Sequence, residues 1–295
     1  MKILFPLSVF FLVFFTSCGK GDDGLGGGPG TTSVAASTTM NVAYGTDPLQ
    51  KMDIYLPANR STTTTKVLIY VHGGAWVGGD KADLNGAGID SIRARLPDYA
   101  VFNVNYRLAA LPSTNPFPAQ ELDIKAAVEF IYNNRANNLV SNKFVMMGHS
   151  AGGHLALLHA YKYQTPVKIK AVVDFFGPTN MAAMYTDYAG NPPAQFGIAA
   201  LMSGTPASNP TLYQQSSPLT FATASAACPT IILQGGTDVT VNATTQSLAL
   251  KNALTTAAVV NQYVYYPLLP HGPWNAATNT DAMNKIQPFL AANVQ

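Results

Sequence analysis

A chain of 295 residues with 17 Lys and Arg against 15 Asp and Glu carries a formal charge of +2, and it has no basic cluster of the kind a nucleic-acid partner requires. Charged residues make up 11% of it, against about 25% in an average domain, so uncharged Thr, Asn, Gln, Ser and Tyr must cover much of the surface. Two cysteines, Cys18 and Cys228, exclude a disulfide framework, and with His154 and His159 five positions apart no zinc-ligand spacing exists, so neither metal nor cofactor is expected.

Met1 to Phe15 holds one early lysine and then a run dominated by Phe, Leu, Val and Ile. The run falls short of the ~20 residues that span a bilayer and reads as a signal peptide. Thr16 and Ser17 before Cys18 resemble a lipobox. That resemblance implies a leader over 1–18, lipidation of Cys18, a membrane anchor and a place on the bacterial cell envelope outside the cytoplasm. Gly19 to about Thr39 is rich in Gly, Thr, Ser and Ala without periodicity, so it cannot bury enough apolar surface to order itself and is expected to be a flexible tether. Lys20, Asp22 and Asp23 resemble a surface-export tag, a short pattern that also occurs in plain linkers. The remaining 40–295 fit one domain.

Within that domain an antiparallel pair is expected near 39–56, then a buried strand at 67–72 built on the apolar run Val67 to Val71. His72-Gly73-Gly74-Ala75-Trp76 follows it directly. Glycines at a strand end let backbone N–H groups turn towards a ligand without side-chain obstruction, so the N–H groups of Gly74 and Ala75 are candidates for an oxyanion hole. A further strand is expected at 100–105, and a helix from Pro118 to Asn134 with Leu122, Ala126, Ala127, Phe130 and Ile131 along its apolar face.

The next strand, 143–147, runs into Gly148-His149-Ser150-Ala151-Gly152 and then into a helical stretch. Strand, G-x-S-x-G turn and helix make a nucleophile elbow, which exposes Ser150 and adds the N–H of Ala151 to the oxyanion donors. Asp174 closes a strand at 169–174, and 177–218, rich in Pro, Gly, Asn, Met and Tyr, reads as a cap or lid insertion. Strands at 229–234 and 260–266 complete a mostly parallel sheet with helices on both faces.

An elbow serine needs a base held by an acid, in the chain order Ser, Asp or Glu, His. Of five histidines, His72 belongs to the oxyanion loop, His149 is the elbow residue pointing away, and His154 and His159 lie on the following helix, facing packing or solvent. His271 remains, in the loop Pro270-His271-Gly272-Pro273-Trp274. Asp238, after the strand ending at Gln234, is the first candidate acid and Asp174 the second. Trp76 and Trp274 flank these loops, as walls of a substrate pocket or as core packing.

At these residues the chain resembles an α/β-hydrolase of the carboxylesterase type, on the branch holding hormone-sensitive-lipase-like esterases and acetyl and feruloyl esterases of plant polysaccharide. The matching segments include Lys51 to Pro57, Val71 to Lys81, Asn105-Tyr106-Arg107-Leu108, Phe117 to Val128, Met147 to Leu158 and Gln234 to Asp238. Ala75 stands where many relatives carry a third glycine, and the prolines around His271 depart from the commoner Gly-His-Gly-Phe. The resemblance implies a serine carboxylesterase acting on small acyl esters, with acetyl or feruloyl groups on carbohydrate as substrates. An amidase or peptidase on the same triad, and an inactive glycan-binding surface lipoprotein, are the competing expectations.

Overall fold

The computed structural model describes residues 33–295, so the expected leader, Cys18 and most of the tether lie outside the described residues. Eight strands form one sheet: β1 (Ser37–Ala43), β2 (Lys51–Leu56), β3 (Lys66–Val71), β4 (Tyr99–Val104), β5 (Phe144–His149), β6 (Ala171–Phe175), β7 (Thr230–Gly235) and β8 (Asn261–Tyr266). Their spatial order is β1-β2-β4-β3-β5-β6-β7-β8. The first two pairings are antiparallel and the rest parallel. The expected strands are present with ends shifted by at most two residues, the polar edge strand β1 starting inside the expected tether.

Among the described residues the α-helices are α1 (Gly86–Arg95), α2 (Ala119–Asn133), α3 (Ala151–Lys162), α4 (Met181–Asp187), α5 (Pro192–Leu201), α6 (Pro210–Gln215), α7 (Ala249–Thr256) and α8 (Ala276–Asn293). Alternation along β3 divides the core between the two sheet faces. Val67, Ile69 and Val71 pack in one cluster with Ile124 of α2, Leu155 of α3 and Leu250 of α7. Leu68 and Tyr70 pack in the other with Ile89 and Ile92 of α1 and Ile286 and Leu290 of α8.

Chain direction reverses at β3, whose neighbours are β4 on one side and β5 on the other. A crevice opens at the carboxyl ends of strands at such a switch point, where ligands bind in open α/β sheets. The His72 loop leaves β3 there and the elbow leaves β5.

One expectation needs correction. On α2 the buried stripe is Ile124, Ala127, Val128 and Ile131, while Leu122 is 49% exposed. The flanking Glu121 and Asp123 are buried instead, because each has a partner: Lys162 and the Tyr163 hydroxyl for Glu121, Arg107 for Asp123. The segment 177–218, which shows no clean periodicity, contains the three helices α4 to α6. Each is preceded by asparagine (Asn180, Asn191, Asn209), and two begin with proline at the first helical turn. Those are helix-start signals that a search for apolar stripes passes over.

Helix α3 is buried on every side, and its histidines face the interior rather than solvent. His154 is locked between three elements: Nδ1 accepts from Trp76 Nε1–H at 3.2 Å and Nε2–H donates to the Ser216 carbonyl at 2.7 Å. His159 has no hydrogen-bond partner on either ring nitrogen among the described residues. Burial pushes His154 down to about 4 and, with nearby Lys125, His159 down to about 3. Both are neutral in the fold.

An unfolded chain takes up these protons below about 6.5, the ordinary histidine value, whereas the folded chain does not. Stability contributed by the neutral rings is therefore complete above that pH and is lost as pH falls towards about 4. Each ring steepens the loss by about 1.4 kcal/mol per pH unit. Urea unfolding between pH 5.5 and 4.5 is expected to show a shallower pH dependence in His159→Leu by about that amount. An unaltered slope contradicts the burial argument.

Candidate active site

The elbow is strained in the way its function demands. Ser150 has φ 53° and ψ −122°, a conformation that costs energy and persists only where its surroundings enforce it. Two glycines make the turn possible: a Cβ on Gly148 would stand 2.3 Å from the Gly152 carbonyl oxygen, and one on Gly152 would stand 2.1 Å from that of Val71.

From this turn Ser150 Oγ–H donates to His271 Nε2 at 2.9 Å, and His271 Nδ1–H donates to Asp238 Oδ2 at 2.7 Å. The serine follows β5, the aspartate β7 and the histidine β8, so three parallel strands deliver the relay to one end of the sheet. Asp238 also accepts the N–H groups of Thr240 and Val241 on Oδ1. Burial alone would raise its carboxyl, but the hydrogen bonds and the attraction of His271 outweigh it and hold the group below the ordinary aspartate range. A hydroxyl bonded to such an imidazole can give up its proton as the oxygen attacks an electrophile.

Asp174 plays no part in this relay. It lies wholly inside the fold, Oδ1 accepting from Gly177 N–H at 2.9 Å and Oδ2 without a partner among the described residues. Burial raises its carboxyl well above the usual value. Gly153 and Gly177 give it room, since a Cβ on either would come within 2.3 or 2.4 Å of its Oδ1.

Gly73, Gly74 and Ala75 share a cleft of about 690 Å³ with Ser150, His271 and Trp274. Gly74, Ala75 and Trp76 all have positive φ, 110°, 51° and 63°. The N–H groups of Gly74 and Ala75 donate to no protein acceptor among the described residues, and Ala151 is the first residue of α3, where an N–H lacks an intrahelical partner. Tyr106 braces the loop from behind: its ring stacks on His72 at 4.3 Å, and its hydroxyl donates to the carbonyls of His72 and Gly73 at 3.1 and 3.3 Å.

The two tryptophans are core and wall together. Trp76 is 1% exposed yet lines a largely apolar cavity of about 200 Å³ with Ser150, Met184 and Tyr188 of the 177–218 segment, and Ile198 and Leu201 of α5. Trp274 packs against Phe175, Phe176 and Tyr266, donates from Nε1 to the Pro270 carbonyl at 2.9 Å, and lines the larger cleft.

Sequence reasoning missed Gln234. Fully buried in β7, it donates from Nε2 to Asp238 Oδ2 at 3.0 Å, and its Oε1 accepts from Ser247 on the π-helical turn Thr244–Leu248. The available signal was a glutamine ending an otherwise apolar strand, which a buried position tolerates only with partners. Among the described residues no group of three or more His, Cys, Asp or Glu is placed to hold a metal ion.

Comparison with known proteins agrees with this architecture. Esterase LipC of Mycobacterium tuberculosis is 30% identical over 148 residues, covering 46% of this chain and 36% of its own. Rabbit (Oryctolagus cuniculus) arylacetamide deacetylase is 34% identical over 145 residues, covering 47% and 35%. The chain thus spans about a third of the length of these curated relatives. A bifunctional GH43-CE protein of Bacteroides eggerthii superposes with a TM-score of 0.72 at 26% identity, covering 88% of this chain and 38% of the other. The fold is that of the α/β-hydrolases, and with residues 52–254 matching its model the chain belongs to the BD-FAE family.

Proposed function

We propose that this protein is a serine carboxylesterase for small acyl esters, with acetyl or feruloyl groups on plant polysaccharide as substrates. The observation that carries the reading is the unbroken relay from Asp238 through His271 to a serine on a strained elbow. Ser150 is the nucleophile, His271 the general base and then acid, and Asp238 the group that holds the imidazole tautomer and stabilises the imidazolium. The N–H groups of Gly74, Ala75 and Ala151 receive the oxyanion, and the acyl-enzyme is released by water. The 177–218 segment acts as a cap, and the cavity of about 200 Å³ behind Trp76 takes the acyl group.

A cavity of that size sets the chain-length preference. Across p-nitrophenyl esters from acetate to laurate, kcat/KM is expected to be highest for short straight chains and to fall off towards laurate, and aminoacyl anilides to be cleaved poorly. Preference for laurate or for anilides would overturn the assignment.

Gln234 steadies the relay: its amide donates to the same carboxylate oxygen that receives the imidazole N–H. Gln234→Met is expected to lower kcat on p-nitrophenyl acetate while KM changes little. An unchanged kcat would show that the contact is dispensable.

We further propose that Cys18 is lipidated and anchors the enzyme to the cell envelope. Radiolabelled palmitate should enter the wild-type chain in cells and not Cys18→Ala; equal incorporation excludes the anchor.

A further inference from the structure

Beyond the catalytic cleft lies a second cavity of about 480 Å³, between α1 and the start of α8. Tyr70, Leu84, His149 and Asn279 line both spaces, so the two adjoin, with His149 between them. Each falls within the ~300–1,000 Å³ of ligand sites. The relay, the oxyanion loop and the acyl cavity make no use of this space.

His149 is held rigidly there. Its ring stacks on Phe175 at 4.1 Å and 10°, meets Phe176 edge-on at 5.6 Å, and bonds to the Tyr70 hydroxyl through Nδ1 at 3.0 Å. Burial lowers its pKa to about 4, with His271 adding to the effect, so the ring is neutral. Burial likewise keeps Tyr70 a phenol. His149 Nδ1 is the one acceptor of the Tyr70 hydroxyl among the described residues, which favours the tautomer with the ring proton on Nε2. Nε2 has no hydrogen-bond partner among the described residues, and it is not among their sealed, unpartnered polar atoms.

We propose that the alcohol portion of the substrate runs past His149 into this second cavity, which is a subsite for a polyhydroxylated alcohol, a saccharide unit next to the esterified one, with His149 Nε2–H donating to one of its hydroxyls. The lining fits that chemistry. Ser91, Asn85 and Thr280 offer hydroxyl and amide groups, while Leu84, Met147 and Phe175 give apolar surface for the face of a sugar ring. None of the described residues lining this cavity carries a formal charge, which suits a neutral sugar.

The inference rests on the esterase reading, and the test separates the two. Wild type, His149→Phe and Ser91→Trp are assayed on monoacetylated xylotriose and on p-nitrophenyl acetate, and binding of unesterified xylotriose is measured by calorimetry. The ratio of kcat/KM for the saccharide ester over the aryl ester is expected to fall at least tenfold in both variants, mainly through KM, and xylotriose affinity to fall with it. An unchanged ratio in either variant, with p-nitrophenyl acetate still hydrolysed by the wild type, overturns the subsite and leaves the esterase reading standing. If wild type hydrolyses neither ester, the esterase reading fails, and xylotriose binding that both variants weaken still supports the subsite, whereas absent binding removes it. A loss seen with decyl acetate rather than the saccharide ester would make the occupant an apolar alcohol and overturn the saccharide assignment.

Discussion

Ser150→Ala is expected to lower kcat on p-nitrophenyl acetate by about 10⁴–10⁶-fold, since removing the nucleophile of a serine–histidine unit disables it as a whole. The wild-type geometry leaves little to adjust: Ser150 Oγ and His271 Nε2 are 2.9 Å apart, and the imidazole is held by Asp238 at 2.7 Å. His271→Ala is expected to cost a similar factor, and the double variant hardly more than either, because residues that act as one unit lose their effect together. Asp238→Asn keeps the shape but presents an amide to His271 Nδ1, favouring the wrong tautomer, and is expected to cost about 10⁴-fold. Fold should survive in the serine variant, since among the described residues Ser150 Oγ makes no other hydrogen bond. Circular dichroism and a thermal melt check that point. Activity within tenfold of wild type in Ser150→Ala would place the nucleophile elsewhere.

The second large effect concerns stability. Asp123→Ala is expected to cost about 3–5 kcal/mol, the range for breaking a buried ion pair from one side. Asp123 is 1% exposed and receives the Arg107 backbone N–H, the Arg107 guanidinium through Nε and Nη2, and the Gln50 amide. Removing it leaves the Arg107 backbone N–H and the Gln50 amide without their acceptor and the guanidinium, on a side chain 28% exposed, compensated only in part by water, so the lower end of that range is expected. At about 2–4 °C per kcal/mol for a domain of this size, the melting temperature should drop by roughly 6–20 °C, nearer the lower figure, with Asp123→Asn in between. A drop below 2 °C would show that the pair is dispensable. The pair also bears on the site, because Arg107 follows Tyr106, whose hydroxyl braces the His72 and Gly73 carbonyls behind the oxyanion loop. A second buried pair, Lys81 with Asp53 at 2.7 Å, anchors the far end of the same loop.

Much of this was legible because it rests on local patterns. Apolar runs such as Val67 to Val71 mark strands buried on both faces. The two glycine motifs lie at strand ends where a Cβ would collide with backbone, so their residue types follow from geometry within a few positions. The parts that escaped depend on pairs far apart in the chain. Glu121 and Asp123 read as the polar face of α2 until Lys162 and Arg107 arrive to neutralise them. His154 reads as filler until Trp76 and Ser216 meet it from either side. Gln234 gains its meaning only when β7 brings it beneath Asp238. The helices of 177–218 are short, and their apolar residues face the cavity and the core in no single stripe, so only the asparagine caps announced them.

The most direct test is covalent. A fluorophosphonate reacts with a serine only where a base activates its hydroxyl and nearby donors accept the negative oxygen, which are the two conditions drawn together here around Ser150. Peptide mapping by mass spectrometry after labelling should find one adduct per chain, on the peptide carrying Gly148 to Gly152, absent in Ser150→Ala and strongly slowed in His271→Ala. An unlabelled wild-type chain, or an adduct on any other residue, would contradict the account.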